Sequence, residues 1–211
     1  MKNLYKILLK LALRLHGFSY KLISYLAIKY ENGLHPKHRL IGYHDFFIKN
    51  ISINDRVLDI GCGNGSLAKD VASVAKSVLG VDFDSKLIEK ARHKNQAPNL
   101  EYRVADATKD LSNETFDVII MSNVLEHIEH RVEFLKQIRP LAKKFLFRVP
   151  MIDREWVTLY KKEIGLDYRL DTTHFTEYTL DQFRYEFETA GFVIENYSIQ
   201  FGEIWAVIKN A

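Results

Sequence analysis

Residues 57–68 read Val57-Leu58-Asp59-Ile60-Gly61-Cys62-Gly63-Asn64-Gly65-Ser66-Leu67-Ala68 and carry the clearest structural signal in the chain. Apolar residues around a single aspartate are typical of a buried strand. Three glycines then alternate with small residues, which favours a tight turn where a ligand can approach the backbone closely. A helical pattern follows, and a helix N-terminus offers unpaired N–H groups and a positive dipole end. The stretch therefore predicts a strand, a ligand-binding turn and a helix.

Strand and helix signals alternate after this turn. We expect strands at residues 77–81, 100–104, 116–121 and 145–149, helices at 85–93, 130–142 and 180–190, and a hairpin of strands at 192–199 and 203–209. Residues 151–176 show no clean periodicity. Because the strands are apolar on both faces, the pattern predicts an α/β protein with a doubly wound, seven-stranded sheet. The sheet should be mostly parallel, with one antiparallel strand from the C-terminal hairpin.

The composition excludes several classes of protein. The chain has 211 residues and one cysteine, Cys62, so an internal disulfide or a cysteine-only metal cluster is excluded, and we predict no metal ligands. No apolar run reaches the roughly 18 residues of a membrane-spanning helix, and no signal peptide is expected. We therefore expect a cytoplasmic protein, with peripheral membrane contact as a further option.

A basic N-terminal arm, residues 1–35, precedes an α/β domain expected at residues 36–211. Residues 1–30 carry +6, whereas the rest of the chain carries −3, which argues against a general nucleic-acid-binding surface. Residues 4–30 predict an amphipathic helix that breaks or kinks at Gly17, and residues 36–49 predict a second helix. The apolar face of the arm is expected to pack on its own domain, on a second subunit or on an anionic membrane surface.

Three kinds of ligand compete for the glycine turn. A phosphate loop needs a lysine and a Ser/Thr after the last glycine, whereas Gly65 is followed by Ser66-Leu67. A dinucleotide turn wants its third glycine one position later than Gly65, although an acidic residue such as Asp82 would suit its ribose contact. The predicted rim is acidic and would repel a pyrophosphate. A cationic nucleoside such as S-adenosylmethionine, with its ammonium, sulfonium, ribose and adenine, is favoured.

Four segments in order resemble class I S-adenosylmethionine-dependent methyltransferases of the small-molecule branch, which includes ubiquinone-type methyltransferases. Residues 57–65 are similar to the first motif of that family, Gly80-Val81-Asp82-Phe83-Asp84 to the second and Val104-Ala105-Asp106-Ala107 to the third. Residues 116–128 are similar to the fourth-strand motif. The resemblance covers roughly residues 36–210, and it implies a Rossmann-like fold with S-adenosyl-L-methionine as the cofactor.

The resemblance also implies cofactor contacts. Asp82 would bind the ribose hydroxyls, Phe83 would lie against the adenine, and Asp106 with the Ala107 N–H would meet the adenine edge. Asp59 would balance the ammonium, directly or through water. The remaining expected contacts are Gly61 and Gly63 at the methionine portion, Cys62 as a small spacer between them, and Asn123 near the transferred methyl group.

Two histidines are the expected acceptor-side residues. His127 is the best candidate for a general base, since an imidazole titrates near neutral pH, and Glu126 is a weaker alternative. His127 could equally be a structural histidine that begins the next helix. His174 lies in a segment that crosses the substrate side of this fold, and we expect it to contact substrate or to stabilise its loop. The predicted activity is methyl transfer to a small molecule, a lipid or a glycan, at oxygen. A non-catalytic S-adenosylmethionine-binding module and an NAD-dependent oxidoreductase remain alternatives.

Overall fold

The computed structural model describes residues 1–31, 35–110 and 114–211. The helices are α1 (Lys2–Tyr30), α2 (Pro36–Ile41), α3 (Tyr43–Lys49), α4 (Ser66–Ala72), α5 (Ser85–Lys94), α6 (Arg131–Ile138), α7 (Trp156–Glu163) and α8 (Leu180–Thr189). The strands are β1 (Arg56–Ile60), β2 (Ser77–Asp82), β3 (Leu100–Val104), β4 (Val118–Ser122), β5 (Lys144–Pro150), β6 (Phe192–Gln200) and β7 (Glu203–Asn210).

The seven strands form one sheet in the order β3-β2-β1-β4-β5-β7-β6. β1 pairs in parallel with β2 on one side and with β4 on the other, and β7 runs antiparallel between β5 and β6. This confirms the predicted Rossmann-like α/β fold with one antiparallel strand. The order reverses direction at β1, so a crevice opens between the carboxyl ends of β1 and β4, where ligands bind in such sheets.

The central strands are buried because helices cover both faces of the sheet. Four of the five residues of β1 are buried, and so are six of the seven residues of β5. Their side chains join those of α6 and α8 in one apolar core. The inner strands therefore lack polar alternation, which is why they were recognisable as nearly continuous apolar runs. A rigid sheet of this kind fixes the positions of the loops at its carboxyl edge.

Several element boundaries differ from the expectations. The helix α1 runs through Gly17 without the predicted break, and the helix expected at residues 36–49 is divided by Gly42, whose φ of 62° ends α2 in the left-handed region. The strand β4 begins at Val118 rather than at Phe116, and α6 ends at Ile138 in a short 3₁₀ turn instead of continuing to Ala142. The helix α7 lies within residues 151–176, where no helix was predicted.

The chain divides into two compact units. The first comprises residues 1–43 and 156–168, and the second comprises residues 44–155 and 169–211. Within the first unit, the Lys161 Nζ of α7 lies 3.3 Å from the His16 Nδ1 of α1, and the Tyr43 hydroxyl lies 2.6 Å from the His38 Nδ1. Among the described residues, no helix combines the length and the apolar character that crossing a membrane requires.

Candidate functional site

The glycine turn closes tightly against the end of β2. The N–H groups of Gly61 and Cys62 both donate to the Val81 carbonyl oxygen, at 2.8 and 3.0 Å. Gly65 has a φ of 80° and leads directly into α4. These contacts explain why the chain can reverse so sharply between β1 and α4, and they leave the outer face of the turn open.

Two glycines in the turn are required for different reasons. A side chain on Gly65 would collide with Tyr102, because a Cβ atom there would lie 2.3 Å from the Tyr102 hydroxyl oxygen. A Cβ atom on Gly63 would meet nothing within 4 Å, and the φ of Gly63 is 56°. Gly63 thus faces open space with bare backbone. Tyr102 supports the turn, since its hydroxyl donates to the Gly65 carbonyl oxygen at 3.1 Å. No local pattern in the sequence predicts that long-range contact.

Asp59 is a buried carboxylate near the Asp82 carboxylate and the Cys62 thiol. Its side chain belongs to a residue that is only 2% exposed, and its Oδ2 atom is buried without a hydrogen-bond partner among the described residues. Burial, and to a smaller extent the neighbouring Asp82, together raise the pKa of Asp59 to about 8. A buried carboxylate of this kind is stabilised by a cation, so the donor set fits the ammonium group of S-adenosylmethionine.

Asp82 ends β2 on the opposite side of the turn. Its Oδ2 accepts a hydrogen bond from the Gly63 N–H and its Oδ1 accepts one from the Asp84 N–H, both at 2.9 Å. Each carboxylate oxygen retains a second lone pair that a ribose hydroxyl could use. The adjacent Phe83 side chain is 80% exposed and offers a flat apolar surface. Asp82 therefore positions the glycine turn as well as being placed for a diol.

Cys62 and Asp106 have pKa values that are shifted in opposite directions by their surroundings. The Cys62 thiol is buried, and burial together with Asp59 and Asp82 raises its pKa, which suits an inert spacer. Asp106 accepts hydrogen bonds from the Thr108 N–H and hydroxyl, and its other oxygen pairs with Lys109 Nζ at 2.8 Å. The Lys109 and Thr108 contacts lower the pKa of Asp106 to about 2. Ala107 is half-buried beside it.

Asn123 follows β4 in a strained conformation. Its φ is 57°, its N–H donates to the Arg148 carbonyl oxygen at 2.8 Å, and its Oδ1 accepts from Arg148 Nε at 2.6 Å. Arg148 is itself buried in β5 and lies 3.6 Å from the Glu203 carboxylate. The backbone strain of a non-glycine residue in this region is held by the buried arginine. Sequence reasoning identified Asn123 but not Arg148.

Glu126, His127 and His174 meet at one place. Each offers an oxygen or nitrogen atom, and these three atoms lie within 4.8 Å of one another. Glu126 is 0% exposed, and both of its carboxylate oxygens lack a hydrogen-bond partner within the described part of the chain. The rings of His127 and His174 are edge-to-face with centroids 4.6 Å apart. The structure thus brings together two histidines that were predicted separately.

Hydrogen bonds assign the protons on both imidazoles. The Thr173 hydroxyl donates to Asp171 Oδ1 at 2.8 Å, so it must accept from His127 Nδ1, which is 2.9 Å away. The Nδ1 of His174 lies 3.1 Å from the Glu177 carboxylate and donates to it. Each ring therefore keeps its Nε2 lone pair. Thr173, Asp171 and Glu177 were not predicted, although Asp-x-Thr is a common turn pattern.

The surroundings of His127 favour its neutral imidazole, and those of Glu126 bring the pKa of its carboxyl group close to neutral pH. Partial burial lowers the pKa of His127, and the His174 ring lowers it further against the opposing effect of Asp171. Burial raises the pKa of Glu126 to about 7, although His174 and Arg148 oppose that shift. A neutral histidine can accept a proton near neutral pH.

Comparison with known proteins identifies the domain. Residues 58–144 match a family model described as a methyltransferase domain. The chain is 33% identical to a ubiquinone biosynthesis O-methyltransferase of Pelagibacter ubique over 132 residues, which are 62% of this chain and 51% of that protein. It is 35% identical to the protein of the same name from Caulobacter sp. over 120 residues, 54% of this chain and 48% of that protein. The chain spans about half the length of these curated relatives.

A solved structure agrees in fold. The magnesium protoporphyrin IX methyltransferase of Synechocystis PCC 6803, solved with bound SAH, superposes with a TM-score of 0.62 at 20% identity and covers 82% of this chain and 81% of its own. The match supports the Rossmann-like fold that the sequence predicts. Residues 58–144 thus match a methyltransferase domain, and the chain shares its fold with this solved methyltransferase.

Proposed function

We propose that the chain transfers a methyl group from S-adenosylmethionine to an oxygen atom of a small-molecule acceptor. The observation that carries the proposal is the buried, unpartnered Asp59 Oδ2. It lies near Asp82, whose carboxylate accepts the Gly63 N–H. A cationic amino-acid group would stabilise the ionised form of the Asp59 carboxyl group, whereas a pyrophosphate would not. The names of the two curated relatives support oxygen as the methylated atom.

The remaining cofactor contacts are proposals about individual residues. Asp82 would accept the ribose hydroxyls, and the exposed Phe83 ring would cover one face of the adenine. Asp106 would reach the adenine amino group only if it exchanged part of its bonding to Thr108 and Lys109, while the Ala107 N–H would face the ring. Gly61 and Gly63 would border the methionine portion, and Asn123 would lie near the methyl group.

Methyl transfer requires little from the protein beyond alignment and proton removal. The cofactor supplies a methyl group that its sulfonium already activates. The protein must hold the acceptor oxygen in line with that group and exclude water. His127 would remove the proton: its contact with Thr173 supports a proton on Nδ1, which leaves the Nε2 lone pair as the base. Glu126 is the alternative base, and His174 would contact the acceptor.

Calorimetry tests the proposed cofactor. We expect saturable binding of S-adenosylhomocysteine and none of NAD⁺. Asp82→Ala should abolish the S-adenosylhomocysteine affinity, whereas His127→Ala should keep it and lose turnover. His130→Ala, which changes an exposed histidine three positions away, is the matched control and should change neither. Thermal unfolding of each variant checks that it folds. Absence of S-adenosylhomocysteine binding to the folded wild type would refute the proposal.

Two other functions give different results in the same experiments. A non-catalytic module would bind S-adenosylhomocysteine but would methylate nothing in a screen of phenols, lipids and sugar nucleotides. An oxidoreductase would bind NAD⁺ and not S-adenosylhomocysteine. The screen also addresses the acceptor, which we propose to be an apolar small molecule, a lipid or a glycan rather than a nucleic acid, because residues outside the arm carry a net negative charge.

We further propose that α1 contacts an anionic lipid surface. Its basic residues at positions 2, 6, 10 and 14 follow one side of the helix, and its side chains include a set of large apolar groups that are exposed. That set comprises Leu4, Ile7, Leu8, Leu11, Leu15, Phe18, Ile23 and Leu26. Such a helix can lie in the headgroup region of a membrane with its apolar face inserted.

Vesicle sedimentation tests this proposal with the full chain. The wild type should bind phosphatidylglycerol vesicles more strongly than phosphatidylcholine vesicles, and less at high salt. Lys6→Glu combined with Lys10→Glu should weaken binding. Lys90→Glu combined with Lys94→Glu changes the net charge equally on α5 and is the control. Equal loss in both pairs, or no binding by the wild type, would refute a role for α1.

A further inference from the structure

We propose that Arg148 and Glu203 are positioning residues of the cofactor site, and that they act by holding Asn123 in its left-handed conformation. This task depends on the proposed function, since it concerns the binding of S-adenosylmethionine. Arg148 lies in β5 opposite Ser122 of β4, and Glu203 is the first residue of β7. Both residues lie outside the four sequence motifs, so no motif predicts a role for them.

A series of buried contacts connects β7 with the end of β4. The Trp205 indole N–H donates to the Glu203 carboxylate at 3.2 Å, and the same carboxylate oxygen lies 3.6 Å from Arg148 Nε. Arg148 Nε in turn donates to Asn123 Oδ1 at 2.6 Å. Trp205, Glu203 and Arg148 are all buried. Because a guanidinium group can only donate, the Asn123 amide must turn its oxygen toward Arg148, which fixes the orientation of that side chain.

Arg148 holds the backbone of Asn123 as well as its side chain. The Asn123 N–H donates to the Arg148 carbonyl oxygen at 2.8 Å, and the φ of Asn123 is 57°. That conformation is unfavourable for a residue with a Cβ atom, so contacts around it must compensate. The next residue, Val124, lies against the glycine turn, because a Cβ atom on Gly61 would be only 2.4 Å from Val124 Cγ2. The turn at Asn123 therefore places the loop after β4 directly on the cofactor turn.

The ion pair is better explained by positioning than by stability. Removing two charges from water can cost as much as their attraction returns, so a buried pair is weak evidence for stability. The neighbouring residues Phe147 and Ile204 show that apolar side chains fill the same strands well. An apolar pair at positions 148 and 203 could not donate to the Asn123 amide. The charged pair thus supplies a directed hydrogen bond at the edge of the sheet where the cofactor would bind.

Calorimetry with S-adenosylhomocysteine tests the proposal on the double variant Arg148→Met with Glu203→Gln. This variant removes both charges together, so no unpaired charge is buried, and the glutamine amide oxygen can still accept from Trp205. We expect the affinity to fall at least about fivefold, because Asn123 is no longer held. The matched control is Arg131→Met with Glu186→Gln, which removes a second buried ion pair, between α6 and α8, and should keep wild-type affinity.

The substitution Asn123→Gly separates positioning from general damage. Glycine adopts a positive φ freely, so adding it to the double variant should restore most of the lost affinity. A ligand-free cycle in urea gives an independent measure. Asn123→Gly should cost the wild type more than it costs the double variant, since only the wild type loses the Arg148 contact. We expect this difference to be at least about threefold in the unfolding equilibrium constant.

A single variant keeps the test valid if the double variant does not fold. Asn123 is partly buried, and Asn123→Ala removes the amide while keeping a Cβ atom. This change should weaken S-adenosylhomocysteine binding more than Asn123→Gly does, because alanine disfavours a positive φ. Equal affinities of these two variants would show that the left-handed conformation does not matter for the ligand.

The outcomes separate this inference from the proposed function. Equal affinity of wild type and the Arg148→Met, Glu203→Gln variant would overturn the positioning role and leave the proposed function in place. Equal loss in both ion-pair variants, or no rescue by Asn123→Gly, would also overturn it. If the folded wild type binds no S-adenosylhomocysteine, the proposed function fails. The urea cycle then decides alone, since coupling supports the hold of Arg148 on Asn123 and additive effects overturn it.

Discussion

Asp59 should make cofactor binding depend on pH. In the free protein its carboxyl group holds a proton up to about pH 8, because it is buried beside Asp82. A cationic ligand needs the ionised form, so binding must release that proton. We expect the affinity for S-adenosylhomocysteine to rise from about pH 6 to pH 8, by at most about tenfold per pH unit. Calorimetry in buffers of different ionisation enthalpy measures the released proton directly.

The isosteric variant Asp59→Asn provides the control for this linkage. It cannot ionise, so its affinity should be weaker at pH 8 and nearly independent of pH over the same range. A wild-type affinity that does not change with pH, with no proton released, would show that Asp59 does not face the ligand's cation.

Gly63 should be needed for the ligand rather than for the fold. Gly63→Ala places a methyl group into open space at a φ of 56°, which costs about 1 kcal/mol of backbone strain. Gly165→Ala is the matched control, because that glycine has a φ of 72° and equally free surroundings outside the glycine turn. Both variants should lose similar thermal stability, whereas only Gly63→Ala should lose S-adenosylhomocysteine affinity. Equal affinities in the two variants would contradict a ligand at this position.

For single residues, the sequence predicts a role correctly where that role depends on neighbours in the chain, such as the end of a strand or the cap of a helix. Asp82 and Asp84 could be placed because each ends a strand or begins a helix, and Asp84 does accept the Lys86 N–H as a helix cap. Tyr102 and Arg148 could not be placed, because their roles come from contacts with residues 37 and 25 positions away. The same holds for His174, whose approach to His127 depends on how two loops fold over the sheet.

At the scale of helices, two glycines should respond in opposite ways to the same substitution. Gly17 lies inside α1, where an added Cβ atom would make only an ordinary contact with Lys161 Nζ at 3.6 Å. Gly17→Ala should therefore stabilise the protein by about 0.5–1 kcal/mol, because alanine has the higher helix propensity. Gly42 ends α2 with a φ of 62°, so Gly42→Ala should destabilise by about 1 kcal/mol. Chemical denaturation measures both.

A destabilising Gly17→Ala would show instead that the glycine serves a kink, which was the interpretation that the sequence favoured. The predicted break at Gly17 is absent for a physical reason: a glycine weakens a helix by about 1 kcal/mol, which the contacts around a 29-residue helix can offset. The helix α7 was missed because its sequence, Trp156–Glu163, mixes aromatic and charged residues without a clear apolar stripe. Strands were predicted well, since burial on both faces gives them an unbroken apolar pattern.

The whole molecule carries its charge unevenly, with +6 in residues 1–30 and −3 in the rest. The acidic residues of the second unit include a group at the carboxyl edge of the sheet, where strand order brings the ends of β1, β2 and β3 side by side. The strand order therefore concentrates negative charge at this edge of the sheet. The net charge of the composition gives no sign of that local concentration. The effect is largest at Asp59, the most deeply buried of these carboxylates, because burial and the charge of Asp82 both raise its pKa.

The free energy of unfolding should consequently fall as the pH rises through the range in which Asp59 is protonated in the folded chain but ionised in the unfolded chain. Below about pH 4 the carboxyl group is protonated in both states. Between about pH 4 and its folded pKa of about 8, the unfolded chain has lost the proton that the folded chain retains, so unfolding becomes easier with rising pH. Asp59→Asn removes this effect. Relative to wild type, it should gain on the order of 2–4 kcal/mol of unfolding free energy between about pH 5 and pH 8.

Urea denaturation of both proteins across that range measures the difference, with Glu129→Gln as an exposed control that should follow wild type. The sign is diagnostic, because a carboxylate held by an internal cation would give the opposite trend, with the asparagine variant losing stability as the pH rises. A constant difference between Asp59→Asn and wild type at every pH would mean that Asp59 titrates alike in both states. Added S-adenosylhomocysteine should reduce the pH dependence of the wild type, since a bound ammonium group stabilises the ionised carboxylate in the folded state.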